Sequence, residues 1–298
     1  MRLVAAAVTL ALLVPTSARA WGYEAHKFIV DRLVDLLPAD LKPLFVARRA
    51  VLVERAIDPD LWRSVGWTAE SANHYVDLDH ERFGPDPFAG LPHDYDAAVQ
   101  KFGKEFIEQQ GLLPWRTQEF HGRLKREFEA VKRPEPAWYV LDNIVLYAAS
   151  LAHYVADGHV PLHATTNHYG QLTSQSGLHA RWEEDLFERN LNLLKIAPAP
   201  IHAIGNPREL MFDTLLASNR LVNGVLAADM AAAEGRKTYD DGYYEAFTKA
   251  ALPTLEARLN ASITAAASMI TSAWEAAGRP KVPVSVPRTP RPIRRPNP

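Results

Sequence analysis

The sequence predicts an all-α protein built as a single multi-helix domain. Apolar residues recur at helical spacing through most of the chain, alternating strand patterns are scarce, and there is no internal repeat. Residues 1–20 come first. Arg2 supplies a positive start, Leu3 to Leu13 are almost wholly apolar, and Ala18-Arg19-Ala20 is a small-x-small cleavage site. This segment is expected to be a secretory signal, cut after Ala20 to leave Trp21 as the first mature residue. The apolar run is too short to span a bilayer, and later apolar segments are broken by charge. The expectation is a soluble mature protein, secreted or periplasmic.

The domain is expected over residues 21–278. Runs 23–36, 92–109, 116–131, 180–195 and 207–233 fit helices. The stretch "AWYVLDNIVLYAASLAHYVADG" is apolar nearly all round, as a buried central helix should be, with Gly158 as its C-cap. In "LPTLEARLNASITAAASMITSAWEAAG", Leu255, Leu259, Ile263, Ile270 and Trp274 form one stripe that Gly278 ends. Residues 279–298 are Pro-rich, basic and free of acids, and are expected to form a disordered or extended tail.

The chain has no cysteine, so an exported protein must find stability without disulfides, in one sizeable core and in bound metal. Zero cysteine also removes every thiolate metal site, leaving His, Asp, Glu and backbone groups as ligands. Of 33 Lys and Arg, two lie in residues 1–20 and six in 279–298. That leaves 25 against 35 Asp and Glu in the body, a formal charge of −10. Such a body is no general nucleic-acid-binding surface, but it suits metal cations.

His153 and Asp157 lie four apart in the apolar helix, which puts both on one face. A carboxylate buried there is costly unless paired or metal-bound. His163 follows the Gly158–Pro161 turn, and "GLHARWEE" repeats the device with His179 and Glu183. A single His-x3-acid pair is more often a surface pair. Two in one segment, with a histidine between them, suit zinc. A second region, "DPDLWRSVGWTAESANHYVDLDH", holds Asp58, Asp60, His74, Asp77 and Asp79. Its bland reading is a polar surface loop with Trp62 and Trp67 packed beneath. His80, His93, His121, His159 and His202 have no such partners and read as ordinary; His168 stays open.

Taken together these segments resemble the superfamily of zinc-dependent phospholipases C and single-strand-specific zinc nucleases, all-helical proteins with three zinc ions. The resemblance runs from Trp21 to about Glu183. It rests on the mature N-terminal Trp, a nearby His, Asp-x2-Arg, His-Tyr-x-Asp, His-x3-Asp-x5-His and His-x3-Glu. It implies a trinuclear site in a cleft. Asp60, His74, His153 and Asp157 would hold the first zinc, and His163, His179 and Glu183 the second. His26 and the amine and carbonyl of Trp21 would hold the third, with Asp157 bridging. Asp60 is chosen over Asp58 because Arg63 then falls at the family's basic position.

The resemblance implies phosphate-ester hydrolysis, with Asp60 orienting or deprotonating the water and Arg63 contacting the phosphate. Arg63 serves equally well as an internal salt bridge. The five-residue step from Trp21 to His26 is nuclease-like. Glu183, the short loop 164–178 and the lack of cysteine are phospholipase-like. Asn167, His168 and Tyr169 either read and stack on a base or close their own loop. The preferred substrate is single-stranded nucleic acid or nucleotide, the alternative a phospholipid headgroup. A non-catalytic exported zinc-binding protein is the other class. A monomer without a stable protein partner is expected.

Overall fold

The computed structural model describes residues 22–286, so the segment 1–20 expected to be a signal, and Trp21, lie outside the described residues, as does the tail from 287 onward. Among the described residues there are helices and turns but no β-strand, which makes the protein all-α. The helices in chain order are α1 Tyr23–Leu33, α2 Lys42–Ala47, α3 Arg49–Glu54, α4 Asp58–Ser64, α5 Tyr95–Phe102, α6 Lys104–Gln110 and α7 Leu113–Val131. They continue as α8 Val140–Gly158, α9 Leu178–Ala180, α10 Leu186–Asn190, α11 Pro207–Asn219, α12 Val222–Ala233 and α13 Asp241–Ala276. None of these helices is long and apolar enough to cross a membrane.

The centre is α8, packed by α1, α3, α7, α11 and α13. Every residue from Ala148 to Gly158 is buried, because the helix is apolar on all sides and has neighbours on all sides. Gly158 is not a C-cap: it is the last helical residue, followed by a right-handed His159. Its role is close approach. A Cβ there would sit 2.3 Å from Met211 Cε of α11. By contrast, Gly278 has the left-handed φ of 83° that ends α13, its N–H bonding back to Glu275 O and that of Arg279 to Trp274 O.

Three expected runs divide. Gly103, at φ 87°, splits 92–109 into α5 and α6. Arg220 and Leu221 separate α11 from α12. The 180–195 run ends at Asn190 and contains a π-helical turn, Arg181–Asp185. The last helix is longer than expected. It starts at Asp241, capped by Asp240 on Tyr243 N, and runs through Pro253, because Tyr243, Tyr244, Phe247 and Ala251 bury its first half. The tail is not wholly free of the body either. Pro280 accepts the Trp274 indole N–H, and Val282 is buried. Trp62 packs partly against the core, but Trp67 is 54% exposed rather than packed beneath its loop.

Candidate metal centre

The centre is assembled around Asp157. It and His153 leave one face of α8 about a turn apart, with His153 Nε2 3.3 Å from Asp157 Oδ2. The outer nitrogen of His153, Nδ1, sits 2.8 Å from Ala56 O. From α1, His26 stacks its ring on His153 at 3.8 Å between centroids and brings Nε2 to 3.4 Å from Asp157 Oδ1. His74 ends a 3-10 turn, Thr68–His74, and places Nδ1 2.9 Å from Asp157 Oδ2 and 3.1 Å from His153 Nε2.

Asp60 enters from the first turn of α4. Asp58 and Asp60 are two residues apart on a helix and so face different ways. Asp58 pairs outward with Arg55 at 2.9 Å, while Asp60 is fully buried and accepts from Arg63 Nη2 at 3.0 Å. Asp60 is therefore the aspartate inside the cluster, and Arg63 makes the internal salt bridge foreseen for it.

A second set lies beyond Asp157. His163 sits on the 3-10 turn Pro161–Ala164 that follows α8, with Nδ1 3.7 Å from Asp157 Oδ1. Its Nε2 is 3.2 Å from His179 Nε2 and 3.3 Å from Glu183 Oε1, and His179 Nε2 is 2.9 Å from Glu183 Oε2. His179 Nδ1 faces His168 O at 2.9 Å. Glu183 lies within the π-helical turn, whose wider winding re-aims its side chain. That turn is pinned by Arg181, which donates to Asp229 Oδ1 of α12 at 2.9 and 3.0 Å.

Ligand atoms converge in three groups: His26, Asp60 and His153; His74, His153 and Asp157; and His163, His179 and Glu183. The sequence had separated His26 from Asp60. In the structure both share His153, so the first and third expected sets overlap.

Burial dominates the electrostatics. It lowers His26 to about 4, aided by His153, and His179 to about 4; it also holds His163 well below the usual histidine range. Glu183 is raised well above the usual carboxylate range by burial and then by Asp157 and Asp60. Burial also opposes charge on His153 and Asp157, but their mutual attraction outweighs it, raising His153 to about 9 and depressing Asp157. Neutral His26, His163 and His179 and ionised Asp157 are already in the states a metal needs, whereas His153 and Glu183 would release protons on binding one.

Eleven buried side-chain polar atoms among the described residues have no hydrogen-bond partner, and eight belong here. They are both nitrogens of His26, Asp60 Oδ2, His74 Nε2, Asp157 Oδ1, His163 Nδ1 and both oxygens of Glu183. Glu183 lies near two imidazoles, but not at hydrogen-bonding angles. Orphaned polar atoms carry a desolvation penalty of about 1–3 kcal/mol each. Concentrated on a mixed imidazole and carboxylate set, they fit one or more divalent cations. Comparison with protein-family models and with curated proteins returns no match for this chain.

Of the substrate-side residues, Asn167 turns inward. Its amide donates to Thr173 Oγ1 at 3.1 Å and accepts from Leu172 N at 2.8 Å, so it closes the loop on itself. Tyr169 is 45% exposed and lies against the His179 ring at 5.6 Å. Asp77 Oδ1 and His168 Nδ1 lie 3.3 Å apart. Burial, then Asp79, pushes Asp77 up to about 8, and burial, then His179, lowers His168 to about 4. Sequence reasoning missed Glu70 entirely. It is fully buried beside His74, and its four-residue spacing from that histidine is the signal that could have found it.

Proposed function

We propose that the chain is an exported zinc-dependent phosphoric ester hydrolase, a nuclease or 3′-nucleotidase acting on single-stranded nucleic acid or nucleotides. The observation that carries this reading is the convergence of unpartnered buried imidazole and carboxylate atoms in three neighbouring ligand groups, made of the residues that the resemblance to the zinc nuclease and phospholipase C superfamily implies. Zinc would be held by Asp60, His74, His153 and Asp157, by His163, His179 and Glu183, and by His26 with Asp157. Trp21, outside the described residues, is proposed to complete the last set through its amine and carbonyl. The second set offers three protein ligands, which favours an open catalytic site over a closed structural one.

Bound zinc supplies charge neutralisation and lowers the pKa of water from 15.7 toward about 7. The protein does the rest. Asp60 presents its unpartnered Oδ2 to orient the attacking water and take its proton. Arg63, beside Asp60, offers a guanidinium fork to two phosphate oxygens. Tyr169 gives an exposed face for a base, a stacking contact worth about 1–3 kcal/mol.

One observation favours a second reading. Val65 and Trp67, just past α4, are 83% and 54% exposed, apolar side chains that would suit a phospholipid substrate. A hydrolysis panel on the zinc-loaded mature protein separates the readings. It compares single-stranded DNA, RNA, 3′-nucleotides and phosphatidylcholine. Cleavage of the nucleic acids or nucleotides is expected. Cleavage of phosphatidylcholine alone selects the phospholipase, and three zincs without any turnover overturns the enzyme reading.

A further inference from the structure

The three histidines with clear inward nitrogens differ in what lies behind them. His153 and His179 turn Nε2 into the centre, and each outer Nδ1 meets a backbone carbonyl, of Ala56 and His168. His74 is reversed. Its Nδ1 faces Asp157 and His153, and its outer Nε2 is buried without a hydrogen-bond partner. The carboxylate on that side is Glu70, with Oε1 4.0 Å from the nitrogen.

Glu70 is held in place from the other side. It is fully buried, one turn before His74, and Tyr154 of α8 donates its hydroxyl to Oε1. Arg116 Nη2 of α7 and Asn73 Nδ2 each reach Oε2 at 3.0 Å. An ionised carboxylate accepts about four hydrogen bonds, so Oε1 keeps capacity for one more. Two ligand atoms each about 2.0–2.1 Å from a tetrahedral zinc lie roughly 3.3 Å apart. His74 Nδ1 stands closer than that to both Asp157 and His153. A cation held there would need wider gaps than these, and Glu70 stands on the far side of the ring, where Nε2 points.

We propose that Glu70 is the positioning residue of the first metal set. It accepts the Nε2–H of His74, fixes the tautomer whose Nδ1 lone pair faces the centre, and raises the donor strength of that nitrogen. Tyr154 ties this carboxylate to α8, the helix that carries His153 and Asp157. One element thus sets both a ligand face and the support behind the opposing ligand. This inference rests on the metal reading of the centre.

The test measures zinc affinity by competition with a chromophoric chelator in the wild type, Glu70→Gln and Arg116→Gln. Alongside it, histidine 15N spectra are recorded for the zinc-loaded wild type. Glu70→Gln is expected to weaken one zinc site by about 10- to 100-fold. Arg116→Gln removes a salt bridge from Glu70 but leaves the carboxylate behind His74, and should change affinity less than threefold. The spectra should show His74 metallated at Nδ1 and protonated at Nε2. That readout needs no variant, so it decides the matter even if Glu70→Gln does not fold. Wild-type affinity in Glu70→Gln, or His74 metallated at Nε2, overturns the proposal. A wild type that binds no zinc overturns the metal reading instead.

Discussion

Asp157 is the residue on which the centre turns. It lies within 3.7 Å of His26, His74, His153 and His163, whereas Asp58 reaches outward to Arg55. Asp157→Asn is expected to lose at least one zinc and 100-fold or more in hydrolytic rate. Asp58→Asn should keep both within twofold. Elemental analysis with matched rate measurements checks the pair, and equal behaviour would remove Asp157 from its bridging position. A second residue prediction concerns His121, lowered to about 4 by burial and then by Lys125, its Nε2 2.9 Å from Ser272 Oγ. Its ordinary value is 6.5, so below that pH the unfolded chain takes up a proton that the folded chain refuses. Stability is thus lost as pH falls from 6.5 toward 4, by at most about 3 kcal/mol and less where water reaches the ring. Urea unfolding at pH 7 and pH 5 should show a smaller drop for His121→Gln than for the wild type.

At the scale of elements, the buttress behind His74 is a helix junction. Gly111, between α6 and α7, has φ 105° and ψ 156°, a region essentially closed to other residues. A Cβ there would lie 2.1 Å from the backbone oxygen of Tyr75, next to His74. The same junction holds the segment through Leu112 N to Ala72 O at 2.6 Å and Asp77 N to Gln110 O at 2.8 Å. Gly111→Ala should destabilise the fold by about 3 kcal/mol or more, with strain and backbone displacement added together. Thermal unfolding checks this, and a loss below 1 kcal/mol would mean the junction yields freely. The elements also show where sequence stops being readable. His153–Asp157 and His179–Glu183 were legible because i, i+4 spacing on a helix is itself a sequence property. In the sequence only the resemblance that places Arg63 prefers Asp60 to Asp58, and it is the phase of α4 that turns Asp60 inward and Asp58 out to Arg55. Glu70 stands four residues before His74, the same spacing, but its anchors Arg116 and Tyr154 lie 46 and 84 residues away, and a charged side chain in a polar stretch resembles surface. Gly158 misled for a related reason, since glycine before a turn looks the same whether it caps a helix or admits a neighbour. Asn167 had two futures in the sequence, and only the packed loop chose between them.

Across the whole molecule, α1, the Thr68–His74 turn, α8 and the Pro161–Ala164 turn meet at Asp157, and Asp60 of α4 joins them through His26 and His153. Binding a cation there favours the folded state by RT ln(1 + [L]/Kd), which is about 4 kcal/mol at a thousandfold excess over Kd. Chelator treatment of the zinc-loaded protein should therefore lower the unfolding temperature by several degrees, and added zinc should restore it. An unchanged temperature after complete zinc removal, checked by elemental analysis, would mean that the centre assembles without help from the ion.

Asp157 meets His74 across 83 residues of chain, and His153 meets it across 79. An ion seated among them would act as a cross-link, closing loops long enough that the same closure by a covalent bridge is worth roughly 4 kcal/mol. In a chain without thiols that clasp has a different key. Reducing agents that dismantle disulfide-braced exported proteins have nothing to cut here. A competing ligand for the ion, or enough acid to protonate the imidazoles, would open the clasp. The durability of this fold would then follow the metal supply of its surroundings rather than their redox state.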